Sequence, residues 1–140
     1  MARQTSRTYK LQLSGAGLAC FIQCHARVAT LAGALIPYGM TLFTALTILS
    51  RLDPADQMAA YQDLECRRLW GQDVHFVGAA STLRDLVEDI IGSLESGDIR
   101  TLKAKVSVIY VAALRACHEA ESDTLQAAYL TMMDTARPKK

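Results

Sequence analysis

The sequence predicts an all-α protein: a single-domain bundle of five or six helices that begins with an αα-hairpin. Three observations carry that prediction. Punctuation is sparse, with eight glycines and three prolines in 140 residues, one of them in the tail at Pro138. Apolar residues recur at three- and four-residue spacing over most of the second half. And 51% of the residues are hydrophobic, which is too many for a disordered chain and enough for one core.

Residues 1–12 read as a basic flexible arm, with Arg3, Arg7 and Lys10 and no acid. The helical domain is assigned to 13–136, followed by a basic tail at 137–140. Its first part, 28–50, runs without an ionisable side chain other than Tyr38. A continuous helix of that length would cover roughly 33 Å, enough for a bilayer core. Pro37 argues against continuity, because it forces Ile36 into extended geometry and cannot donate to the preceding turn. Gly39 permits a left-handed turn. Each half also carries a polar or small stripe, Gln23, Arg27, Thr30 and Ala34 before the break and Thr41, Thr44, Thr47 and Arg51 after it. The expectation is therefore two helices, about 14–36 and 40–52, folded back on each other as a hairpin over 14–52. Insertion of 28–50 into a membrane is the alternative.

A helix start comes next at 53–56, with Asp53 as N-cap, Pro54 at the first helical position and Asp56 in the first turn. That helix is expected to reach Trp70, where Gly71 ends it. The stretch 71–80, GQDVHFVGAA, lacks periodicity and reads as a connector. From 82 to 96, Leu83, Leu86, Val87, Ile90, Ile91 and Leu94 define an amphipathic helix, with Arg84, Asp85, Glu88 and Asp89 facing away. Gly97 is the expected stop and Asp98 the next cap. Helix 99–121 then keeps a seam from Ile99 through Leu102, Val106, Ile109, Ala113 and Ala116 to Ala120. Its centre, VSVIYVAAL, is apolar almost all round, so it should be central or serve two partners. The last helix, 123–136, turns Leu125, Tyr129, Met132 and Ala136 inward.

Charge is distributed unevenly behind a net +1. Residues 1–52 hold five basic side chains and no acid; residues 53–140 hold ten basic and fourteen acidic ones, giving −4. Such asymmetry can steer two copies together or set one half against an anionic surface. Four scattered cysteines do not make a disulfide framework and favour a reducing, cytoplasmic setting. Cys20 and Cys24 share a helical face beside His25, and Cys117 precedes His118; together they could hold a thiophilic metal, but buried thiols used as small hydrophobes explain them more simply. His118 with Glu121, and His75, lack any local catalytic signature. No catalytic residue, cofactor, metal or small-molecule substrate is expected.

The functional expectation is a non-enzymatic interaction module (adaptor, chaperone-like binder, inhibitor or structural subunit). It would self-associate through apolar helix faces and contact another protein. The expected interface residues are Val108, Val111, Ala112 and Leu114, which lie off the seam of helix 99–121, with Leu42 and Leu46 of the hairpin. Nucleic-acid binding through the basic terminal arms is a further alternative, although no reader motif is present.

Overall fold

The computed structural model describes residues 6–96 and 103–136. Among them are seven helices and one two-stranded antiparallel sheet. In chain order the elements are β1 (Ser6–Leu13), α1 (Gly15–Ala32), α2 (Tyr38–Ser50), α3 (Pro54–Gln62), α4 (Glu65–Leu69), β2 (Asp73–Ala80), α5 (Thr82–Ser96), α6 (Val106–Glu119) and α7 (Ser122–Ala136). The mostly helical architecture agrees with the sequence. The ribbon does not.

Two assignments are corrected by that ribbon. Residues 6–12, read as a flexible arm, form most of β1, and 71–80, read as a connector, contains β2. The strands pair from Ser6 opposite Ala80 to Leu13 opposite Asp73. The physical reason is period-two alternation: Tyr9, Leu11 and Leu13 are buried, and the residues between them face out. The Tyr9 hydroxyl donates to the Ala80 carbonyl across the ribbon at 3.0 Å. Of the terminal basic residues, Arg7 and Lys10 therefore belong to an ordered strand, while Arg3 and 137–140 lie outside the described residues.

Ser14 links the strand to α1. Its hydroxyl accepts from Gly17 N as an N-cap and reaches the Arg68 carbonyl at 2.6 Å, tying this corner to α4. The helix stops at Ala32, four residues short of expectation, because Gly33 adopts φ 66° and closes a left-handed C-cap on the Ala29 and Thr30 carbonyls. The break is thus found, spread over 33–37. Gly39 is used differently from the turn role expected of it. It lies in the first turn of α2, where a Cβ would come 1.8 Å from the Gly78 carbonyl oxygen. Its lack of a side chain lets α2 approach β2.

The close hairpin expected over 14–52 is not observed. α2 touches α1 through its first turn, where Tyr38 meets the rings of Phe21 and His25 and Thr41 bonds His25. Its main packing is on α6 and α7. Thr41, Thr44 and Thr47, expected as a polar face, are buried; Thr44 and Thr47 donate back to the Met40 and Phe43 carbonyls, which removes the cost of enclosing them. The 28–50 stretch is accordingly two helices separated by 33–37, with the second enclosed. Among the described residues no helix is long and apolar enough to cross a membrane.

Asp53 caps α3 as expected, accepting from Asp56 N at 2.9 Å. The expected helix 54–70 is split, however. Asp63 is extended and its carboxylate accepts from Glu65 N, restarting the chain as α4. α5 matches 82–96, with Leu83, Val87, Ile90 and Leu94 buried. Gly97, Asp98, Ile99 and Leu102 lie outside the described residues, and α6 begins at Val106. α7 spans Ser122–Ala136 and buries Leu125, Ala128 and Met132.

α6 is the axis of the core. Ile109 through Leu114 and Cys117 are all buried, and α1 and α2 are its largest helical neighbours. Its end is closed by a residue of α1: the Arg27 guanidinium donates to the Cys117, His118 and Ala120 carbonyls at 3.0, 3.1 and 2.7 Å. At the end of α2, Gln57 plays the same part, its amide reaching the Leu49, Ser50 and Leu52 carbonyls. Both helices thus end on long side chains supplied by other elements.

Candidate functional sites: an exposed ribbon face, a thiol cluster and a cavity

The six residues expected at an interface are placed mostly in the core. Val111, Leu42 and Leu46 are 0% exposed, and Ala112 and Leu114 are 1% exposed. α6 does serve two sides, as its composition requires, but α1 and α2 cover it within one chain. Val108 alone stays half-buried, against the edge of a cavity. An interface built on the other five would require the core to open.

Exposed apolar surface lies elsewhere. The outer face of the ribbon carries Thr8, Lys10 and Gln12 from β1 opposite Gly78, Phe76 and Val74 from β2. Phe76 is 66% exposed and Val74 45%. At the neighbouring corner, where Gly39 abuts Gly78, Tyr38 is 62% exposed and Leu35 is fully exposed. The sequence places Val74, Phe76 and Tyr38 in stretches read as connector or bend, and Leu35 near the end of the expected helix 14–36. Pairing Phe76 with an outward face requires the ribbon register.

Three of the four cysteines come together. The Cys20 and Cys24 thiols both lie on the Leu114 carbonyl of α6, at 3.8 and 3.3 Å, and Cys24 is in hydrogen-bond contact with Cys117 and Cys20. These contacts, with burial, push the Cys24 thiol far above its ordinary range, so it stays protonated. The thiols are unpaired and buried. His25 and His118 are not part of this cluster's bonding: His25 bonds Thr41, and His118 bonds Gln23 at 2.6 Å. Among the described residues, no group of three or more His, Cys, Asp or Glu is arranged to hold a metal ion. The arrangement packs α1 onto α6 as a small apolar contact.

A cavity of about 480 Å³ opens between the α3–α4 corner and the first turn of α6. Tyr61, Arg67 and Trp70 border it on one side and Lys105, Ser107 and Val108 on the other. Cys66 also lines it, its thiol pushed up to about 11 by burial and donating to the Ala60 carbonyl. Asp63, at the border, is already occupied by Glu65 N and the Arg115 guanidinium, which hold its carboxyl below the usual range. Of these residues the sequence marked only Val108 for a functional role, and that as an interface position; the rest come from segments about forty positions apart that no local pattern joins.

Comparison of the chain with protein-family models, with curated proteins and with solved structures finds no match. Function is therefore argued from the residues themselves.

Proposed function

We propose that the protein is a non-enzymatic helical interaction module that self-associates, with its contact surface on the outer face of the ribbon. The observation that carries this reading is the exposure of Phe76 and Val74 on that face. A two-stranded ribbon with one side on its own core, and with Phe76 and Val74 exposed beside Thr8, Lys10 and Gln12 on the other, can form half of a face-to-face sheet packing. Two eight-residue strands present roughly 250 Å² on one face. A stable complex needs about 800 Å² per partner. The interface must then extend over the Leu35–Tyr38 corner, and association should be weak and concentration-dependent.

Other features agree with a binding role. Two of the three histidines are engaged with neutral partners, His25 with the buried Thr41 hydroxyl at 2.8 Å and His118 with the Gln23 amide oxygen at 2.6 Å. Four unpaired, buried thiols suit a reducing compartment such as the cytoplasm.

Light scattering on the eluting protein tests the proposal at concentrations from about ten to several hundred micromolar, a range that brackets weak association. Wild type should gain mass with concentration. Phe76→Asp should stay a single chain with an unchanged circular dichroism spectrum, because the side chain is exposed. A wild type that remains a single chain throughout, or a Phe76→Asp variant that associates equally, removes the self-association reading.

A further inference from the structure

The cavity between the α3–α4 corner and α6 is rich in donors and cations that have nothing to bind. The Tyr61 hydroxyl oxygen accepts from Lys105 N at 2.9 Å, which leaves its hydrogen available. Among the described residues, the Ser107 hydroxyl has no hydrogen-bond partner, and Arg67 and Lys105 have no ion-pair partner. Trp70 adds an indole whose Nε1–H is buried and unpartnered. Among the described residues the nearby carboxylates already have partners: Asp63 shares Arg115 with Glu119, Glu65 pairs with Arg68, and Glu95 accepts from Ala104 N.

The geometry points to a binding site for a small organic anion: one carboxylate or phosphate group on a flat apolar body. Its volume of about 480 Å³ lies within the range of small-molecule pockets. Charge selects the ligand class. Arg67 and Lys105 are exposed at the rim and can meet a carboxylate or phosphate there, with the Tyr61 and Ser107 hydroxyls as neutral donors. The apolar body would lie against Tyr61, Trp70 and Val108. The first turn of α6 has no side-chain cap, so its partial positive charge adds to the same field. A neutral molecule of equal shape would leave the two cations unmatched. This inference does not rest on the ribbon interface.

Trp70 is the chain's one tryptophan, so its fluorescence reports directly on the cavity wall. The full chain is titrated with benzoate, phenyl phosphate, inorganic phosphate and neutral benzamide, each to about 10 mM, which covers millimolar affinities. Saturable change is expected with benzoate or phenyl phosphate, and binding of benzamide and of inorganic phosphate should be weaker by about tenfold or more. Benzoate against phenyl phosphate decides which acid group is preferred. Arg67→Ala and Lys105→Ala, both at exposed positions, should each weaken binding by about five- to tenfold. Arg84→Ala, on α5 and paired with Glu88, should leave it unchanged. Four results each overturn the proposal: no saturable change with either organic anion, equal affinity for benzamide, equal affinity for inorganic phosphate, or full binding in both cavity variants.

Discussion

Arg27 should be one of the most consequential charged residues of the fold, although among the described residues no carboxylate pairs with it. Its guanidinium closes three carbonyls at the end of α6, one of them beyond the last helical residue. Hydrogen bonds from a charged donor contribute about 1.5–3 kcal/mol each when removal leaves the partner dry. Here the site is only half-buried, so water can reach some of the freed carbonyls. The three bonds together are worth about 2 kcal/mol, and the helix dipole adds roughly 0.5 kcal/mol. Arg27→Ala should then lower stability by about 2–3 kcal/mol, or on the order of 5–10 °C in Tm. Arg27→Met keeps the stem packing and isolates the loss of the donors. Arg27→Lys offers a single ammonium where a planar fork spans three acceptors, and should recover about half. Urea melts followed at 222 nm measure all three. The partners are carbonyls, so the effect should persist at about 1 M salt, where exposed ion pairs are screened. A loss under about 0.5 kcal/mol in Arg27→Ala, or full recovery by lysine, would refute the capping argument.

Two further perturbations test other parts of the structure. Gly39→Ala pushes a Cβ into the Gly78 carbonyl and should cost about 3 kcal/mol or more, whereas Gly92→Ala, exposed in α5 with open space around it, should stabilise by about 0.5–1 kcal/mol in the same urea melts; similar effects at the two sites would contradict the close α2–β2 approach. Burial raises the Tyr110 hydroxyl to about 12 and the Cys66 thiol to about 11, so both are held neutral and the unfolded chain releases those protons first; stability should be full below about pH 8.5 and fall as pH rises through roughly 9–12, more steeply in wild type than in Tyr110→Phe, and a rise over that window would sink the assignment.

How legible was this fold in its sequence? The elements with local determinants were readable. Asp53 and Pro54 start α3 as their chemistry demands, and α5 buries the face its spacing marks. α7 also lies where its pattern put it. The ribbon was not readable, because its strands are separated by four helices and no hairpin turn announces either one. β1 reads as an arm because the charges of Arg7 and Lys10 lie among Tyr9, Leu11 and Leu13, whose alternation with polar residues is too short to mark a strand by itself. The split at Asp63 was invisible for a similar reason. Its carboxylate bonds Glu65 N locally, but its other partner, Arg115, is on α6.

The burial of five of the six expected interface residues has one physical origin. An apolar helix surface states that cover is required and says nothing about who provides it. α6 has two apolar sides, and the helices alone do not supply all of its cover: the ribbon contributes as well. β1 packs on α6 and buries Tyr9, Leu11 and Leu13, while β2 receives the start of α2 at Gly78. With that extra layer, α1 and α2 can close around α6 from one chain, and Val111 and Leu114 become interior. The same layer moves the unmatched apolar surface outward, to Phe76 and Val74. A strand that completes a core on one face necessarily presents its alternate residues on the other. In this chain two of those residues are large, apolar and exposed, so the ribbon that helps enclose α6 within one chain carries the exposed apolar surface on its own outer face.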